Sequence, residues 1–121
     1  MDKNFIYKTD PNKSFQTEER CHIIEIFKED NAPLSIAQAR VESGVTTALH
    51  SLSNTDEWYY ILQGKGEMRV GNEKEIVEKG DVVKIPANEA QQITNIDSED
   101  LIFLCICNPS FDVDAYKDLE K

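Results

Sequence analysis

Residues 50–66 read HSLSNTDEWYYILQGKG, and the reading of this stretch decides the fold. His50 opens it, Glu57 follows seven residues later, and the apolar run WYYIL leads into a turn with Gly64 and Gly66. Side chains alternate across a strand, so His50 shares a face with Ala48 and Leu52, and Glu57 shares one with Tyr59 and Ile61. If the apolar members of each set point into a core, His50 and Glu57 point there too. A carboxylate in that position needs a partner, because burying an unpaired charge is costly. A bound cation would meet the need, as would an inward-facing Arg40 or Arg69.

The neighbouring segments have the same character. CHIIEIF (21–27), LSIAQARVES (34–43) and TTALHSLS (46–53) precede the stretch, and GEMRV, KEIVE, DVVKIP, AQQITNI and LIFLCIC follow it. Turn signals separate them, among them Asp30-Asn31, Ser43-Gly44, Gly71-Asn72, Gly80-Asp81 and Pro86-Ala87-Asn88. Short strands repeating about every 8–12 residues predict an all-β sandwich or barrel. A length of 121 residues predicts one domain (1–121), with its core at about 34–109. Residues 1–20 are polar and are expected to wrap as an arm or edge strand. In the tail, 110–121, SFDVDAYKDLEK predicts one or two helical turns with Ser110 or Asp112 as N-cap. Val113, Tyr116 and Leu119 would then face the barrel.

Two longer patterns frame these strands. Gly44, His50, Leu52, Glu57 and Gly64 are separated by five, one, four and six residues. Gly80, Pro86, Asn88, Gln91 and Asn95 are separated by five, one, two and three. In this order and spacing the chain resembles the cupin superfamily, over about residues 34–109. The resemblance implies a double-stranded β-helix (jelly roll): two antiparallel sheets closing a small barrel with a ligand pocket in its mouth. It also implies one divalent metal, held at the positions occupied here by His50, Leu52, Glu57 and Gln91. Leu52 cannot coordinate, and Gln91 offers only an amide oxygen. The expected metal set is therefore His50, Glu57 and Gln91, one nitrogen and two oxygens, suited to a weakly held Mn, Fe, Ni or Zn. A fourth donor could come from elsewhere, such as His22, Asp56 or Tyr59. Asn88 stands where a glycine is usual, and asparagine tolerates left-handed backbone.

The family resembled here hosts isomerases, lyases and dioxygenases as well as storage and sensory proteins, and the first reading is a small metalloenzyme acting on a small polar metabolite. The metal would serve as a Lewis acid, with His50 and Tyr59 as catalytic candidates and Tyr59 as proton donor. Two other readings stand beside it. One is a non-catalytic small-ligand-binding or sensor module. The other is a metal-free acid/base enzyme using His50, with His50 bonded to Gln91 in a polar cluster. The net charge of −10 argues against nucleic acid and anionic membrane partners. No run of about 18 apolar residues provides a membrane span. MDKNFIYKTD lacks the pattern of a secretory signal, and the three cysteines (Cys21, Cys105, Cys107) suit a reducing cytoplasm. Cys105 and Cys107 share one strand face and are expected to pack there as small hydrophobes. Trp58 and Tyr60 face the other way, toward the arm or a subunit contact. The apolar strand CHIIEIF could add to a neighbour's sheet, so a homodimer is expected.

Overall fold

The computed structural model describes residues 5–121, so the first four residues of the expected arm lie outside the described residues. Eleven strands form among the described residues: β1 (Phe15–Gln16), β2 (His22–Phe27), β3 (Ser35–Val41), β4 (His50–Leu52), β5 (Asp56–Gln63), β6 (Lys65–Val70), β7 (Glu73–Glu78), β8 (Val82–Ile85), β9 (Gln91–Asn95), β10 (Leu101–Asn108) and β11 (Tyr116–Asp118). They make two sheets, ordered β1-β2-β3-β10-β5-β8 and β11-β4-β9-β6-β7, with antiparallel pairing throughout. This is the expected all-β jelly-roll barrel. No helix of the described residues is long and apolar enough to cross a membrane.

Period-two patterning explains the assembly. On β10, Leu101, Phe103 and Cys107 are buried, while Ile102, Leu104 and Ile106 face outward. On β5, Glu57, Tyr59 and Ile61 are buried while Trp58 and Tyr60 are not, as the alternation predicts. The inward side chains, with Val41, Ile85 and Ile93, form a single core between the sheets. Each large apolar side chain moved there contributes roughly 1.5–3 kcal/mol. Register then positions the polar residues. Glu57 lies opposite Cys107 in one sheet, and His50 lies opposite Gln91 in the other.

Several turns use left-handed backbone, and two of them bear on the expectations above. Asn88 has φ 72°, so it does replace glycine there. Gly64 has φ 90°, and a Cβ at this position would sit 2.9 Å from the Asp100 carbonyl oxygen.

Three segments differ from expectation or refine it. The strand expected over 46–53 shortens to His50–Leu52. Just before it, the Ala48 N–H donates to the Glu19 carbonyl and the Leu49 N–H to the Glu120 carboxylate, so both are diverted from a ladder. The C-terminal tail forms only one 3-10 turn, Val113–Ala115, capped by Asp112, and then becomes β11. The free edge of β4 leaves backbone groups unpaired, and β11 satisfies them where a helix would not. As a result Val113 is 72% and Leu119 43% exposed, and Tyr116 alone of the expected trio turns toward the barrel. At the other end, the arm makes a 3-10 turn at Pro11–Lys13 and then edge strand β1 on β2.

Gly64→Ala is expected to cost about 1–3 kcal/mol, from positive φ and a close carbonyl together. Gly44, with φ 79° and open space around its Cβ position, is the control. Urea midpoints should fall further for Gly64→Ala than for Gly44→Ala. Equal losses would remove the contact with Asp100 from the account.

Candidate functional site

A cavity of about 890 Å³ opens between the sheets. His50 lies in its wall, oriented from behind. Its Nδ1 is 2.9 Å from the Ala48 carbonyl oxygen. A carbonyl only accepts, so Nδ1 carries a proton, and in the neutral imidazole Nε2 presents a lone pair. No side chain or backbone group of the described residues hydrogen-bonds Nε2. The Glu19 carboxylate stands 3.4 Å from Nδ1, and the Tyr116 ring stacks on the imidazole at 4.9 Å and 19°. Burial raises the Glu19 carboxyl above its usual range, against the pull of His50. Thus the arm and the tail both brace one side chain of β4.

Glu57 faces the same cavity from β5 and is 6% exposed. Its Oε2 accepts from the Cys107 thiol at 3.6 Å, while its Oε1 has no partner. Burial pushes this carboxyl up to about 7, despite the opposing pull of Gln91 and His50. Burial also pushes the Cys107 thiol up, so it stays protonated and able to donate. The inward arginine does not exist. Arg40 pairs with Asp100, and Arg69 donates to the Gly71 carbonyl.

Gln91 is buried behind this wall. Its Oε1 accepts from the Tyr59 hydroxyl at 2.7 Å, a bond that joins the two sheets across the barrel. The expected His50–Gln91 bond is therefore replaced by a Tyr59–Gln91 bond. Tyr59 lines the cavity, but its proton is directed at Gln91. Of the expected metal set, His50 and Glu57 keep free donor atoms, whereas the Gln91 oxygen that a metal would need is engaged. The other candidate donors stand elsewhere. His22 meets Glu42 at 2.7 Å, and Asp56 accepts from the Ala87 N–H at 2.9 Å. Among the described residues no group of three or more His, Cys, Asp or Glu side chains converges for an ion. Two of the expected donors are free, and the third already accepts one hydrogen bond from Tyr59.

Glu19 escaped the sequence reading, because Glu18-Glu19-Arg20 looks like a solvated charge run. It sits in the turn between β1 and β2, so strand alternation does not place it. Tyr59→Phe should leave the Gln91 oxygen buried without its donor and cost about 1–3 kcal/mol. The urea midpoint checks this. An unchanged midpoint would mean that water or another donor replaces the hydroxyl.

Comparisons with known proteins agree with this architecture. An uncharacterized protein of Methanocaldococcus jannaschii is 42% identical over 77 residues, 64% of this chain and 62% of that relative. The matched stretch thus spans under two thirds of either protein. Among solved structures, the nucleoside dehydratase Pac13, known from Streptomyces, superposes with TM-score 0.78 at 15% identity, covering 93% of this chain and 90% of that one. KdgF from Halomonas sp. gives 0.77 at 16%, over 88% and 94%. Bacillus subtilis oxalate decarboxylase, a protein with Mn(II) centers, gives 0.74 at 27%, over 85% of this chain and 29% of its own. The cupin domain family model matches residues 38–107, which contain His50, Glu57 and Gln91, and the chain belongs to the cupin family.

Proposed function

We propose that the protein is a small cupin-type enzyme that moves protons on a small polar metabolite, with His50 and Glu57 as the acid/base pair. The supporting observation is the pairing itself. An imidazole anchored at Nδ1 with Nε2 free shares one cavity with a buried carboxyl whose Oε1 is unpartnered. His50 takes the proton at Nε2, while the Ala48 carbonyl and Glu19 hold the Nδ1–H side and stabilise the imidazolium. Glu57, divided between its neutral and charged forms near pH 7, returns a proton at Oε1. Tyr59 holds Gln91 in place instead of donating. Chemistry of this kind is elimination or isomerisation, with no change of oxidation state. A nucleoside dehydratase on the same fold is consistent with it.

A second reading places a weakly held divalent ion (Mn, Fe, Ni or Zn) on His50 Nε2 and Glu57 Oε1. The unpaired Oε1 favours it as well, since a cation would satisfy that oxygen. Such an ion would supply a Lewis acid for a substrate oxygen.

One experiment separates the readings. Metabolite pools incubated with the protein in D2O are scanned by NMR for C–H positions that exchange. Protein dialysed against EDTA should still catalyse exchange, and His50→Gln should lose it by about 100-fold or more. Exchange that needs an added ion, with the ion bound in wild type and lost in Glu57→Ala, would replace the first reading with the second.

The raised Glu57 carboxyl also has a signature in stability. The folded protein binds this proton up to about pH 7, while an ordinary glutamate loses it near 4.5. The folded state therefore holds more protons between those values, and this contribution to stability is full below pH 4.5 and is lost as pH rises through 7. Thermal melts of wild type and Glu57→Gln should diverge across this window, with wild type losing on the order of 3 kcal/mol relative to the variant. Parallel pH profiles would contradict the assignment.

A further inference from the structure

The charged groups around the cavity are unevenly distributed. Among the described residues five acidic side chains line it, Glu19, Glu25, Asp30, Glu57 and Asp112, against one amine, Lys28. The chain has three arginines, and none lines the cavity. Arg20 is held by Glu120 and the Thr46 carbonyl, Arg40 by Asp100 and Arg69 by Gly71. The groups that clamp a carboxylate or phosphate in two-point fashion are thus engaged elsewhere. A cleft of one sign with apolar walls concentrates ions of the opposite sign.

A second observation lies deeper in the cavity. Glu57 is 6% exposed, and its Oε1 is the one buried side-chain polar atom left without a partner among the described residues. An acceptor in that position calls for a donor brought by the ligand. The walls add aromatic surface from Phe27, Phe111 and Tyr116, whose faces attract cations.

We propose that the pocket takes a small organic cation, with an ammonium N–H donating to Glu57 and the hydrocarbon part against the aromatic walls, and that it rejects carboxylates and phosphates. This deepens the proton-transfer reading and rests on it for the role of the site. It also narrows the class of polar metabolite, because the sugar phosphates and keto acids of other small-molecule enzymes would meet five carboxylates and no arginine. The rim acids draw the cation in, and the ionised form of Glu57 supplies the contact that orients it.

The test is a charge series on one ring: benzylamine, benzyl alcohol and benzoate, with methylammonium and inorganic phosphate as small probes. Binding is read by chemical-shift perturbation in two-dimensional NMR spectra, which also locates it. Benzylamine should bind about tenfold or more tightly than benzyl alcohol, with benzoate and phosphate giving no saturable shift. Added salt should weaken benzylamine. Glu57→Gln should reduce the preference for benzylamine over benzyl alcohol. In case that variant fails to fold, the exposed pair Glu25→Gln/Asp112→Asn should lower benzylamine affinity severalfold. Benzoate or benzyl alcohol binding as well as benzylamine would overturn the proposal, as would an ammonium series that leaves the cavity resonances unmoved. Ammonium binding without His50-dependent exchange would keep the ligand class and discard the catalytic role. His50-dependent exchange on an anionic substrate would do the reverse.

Discussion

A carboxyl group held out of water with one oxygen unpaired is the constraint on which the rest of this site depends. The alternation of β5 puts Glu57 on the same inward face as Tyr59 and Ile61, so the core that stabilises the barrel also buries the acid. The opposite register position on β10 supplies only a thiol, a weak donor. Burial without adequate donors disfavours the charged form, and the carboxyl rises into the neutral pH range. Structural positions that leave such a group uncompensated cost stability, and functional sites are where that cost is commonly accepted.

The other half of the site shows how a cupin barrel can keep its architecture while changing its donors. Leu52 contributes an apolar wall, and Gln91 turns its oxygen to Tyr59. The Tyr59–Gln91 bond links the sheets in the buried centre, where a hydrogen bond is protected from water and its loss would leave two polar groups stranded. His50 keeps a free Nε2, and its orientation now comes from the Ala48 carbonyl, Glu19 and Tyr116. Two of these braces come from the ends of the chain. The arm delivers Glu19, and β11 delivers Tyr116 by completing the edge of β4. The segments before and after the barrel strands are therefore parts of the pocket.

Much of this was legible in the sequence. Strand periodicity, turn residues and two spaced signatures led to the jelly roll, and inward faces for His50, Glu57 and Tyr59 followed from alternation alone. The positions of Asn88 and Gly64 were legible because few residues accept left-handed backbone. What could not be read were choices between partners of similar chemistry. Gln91 lies opposite His50 in register, yet its oxygen bonds Tyr59 from the other sheet, a choice that alternation does not encode. Arg40 and Arg69 alternate in a way that fits either face, and each found an outward acceptor. The tail carries a helical spacing in Val113, Tyr116 and Leu119, yet an unpaired strand edge outweighed that local preference. Glu19 depended on a long-range approach of the arm that no local pattern encodes.

The central claim is that Glu57 is a buried carboxyl sharing its proton with the pocket near neutral pH. The most direct measurement is a 13C NMR titration of the Glu57 side-chain carboxyl in the folded protein, assigned with Glu57→Gln. The account predicts a midpoint near 7. A midpoint at or below the ordinary glutamate value of about 4.3 would contradict it, showing that a strong donor or a bound cation already satisfies the oxygen left unpaired here.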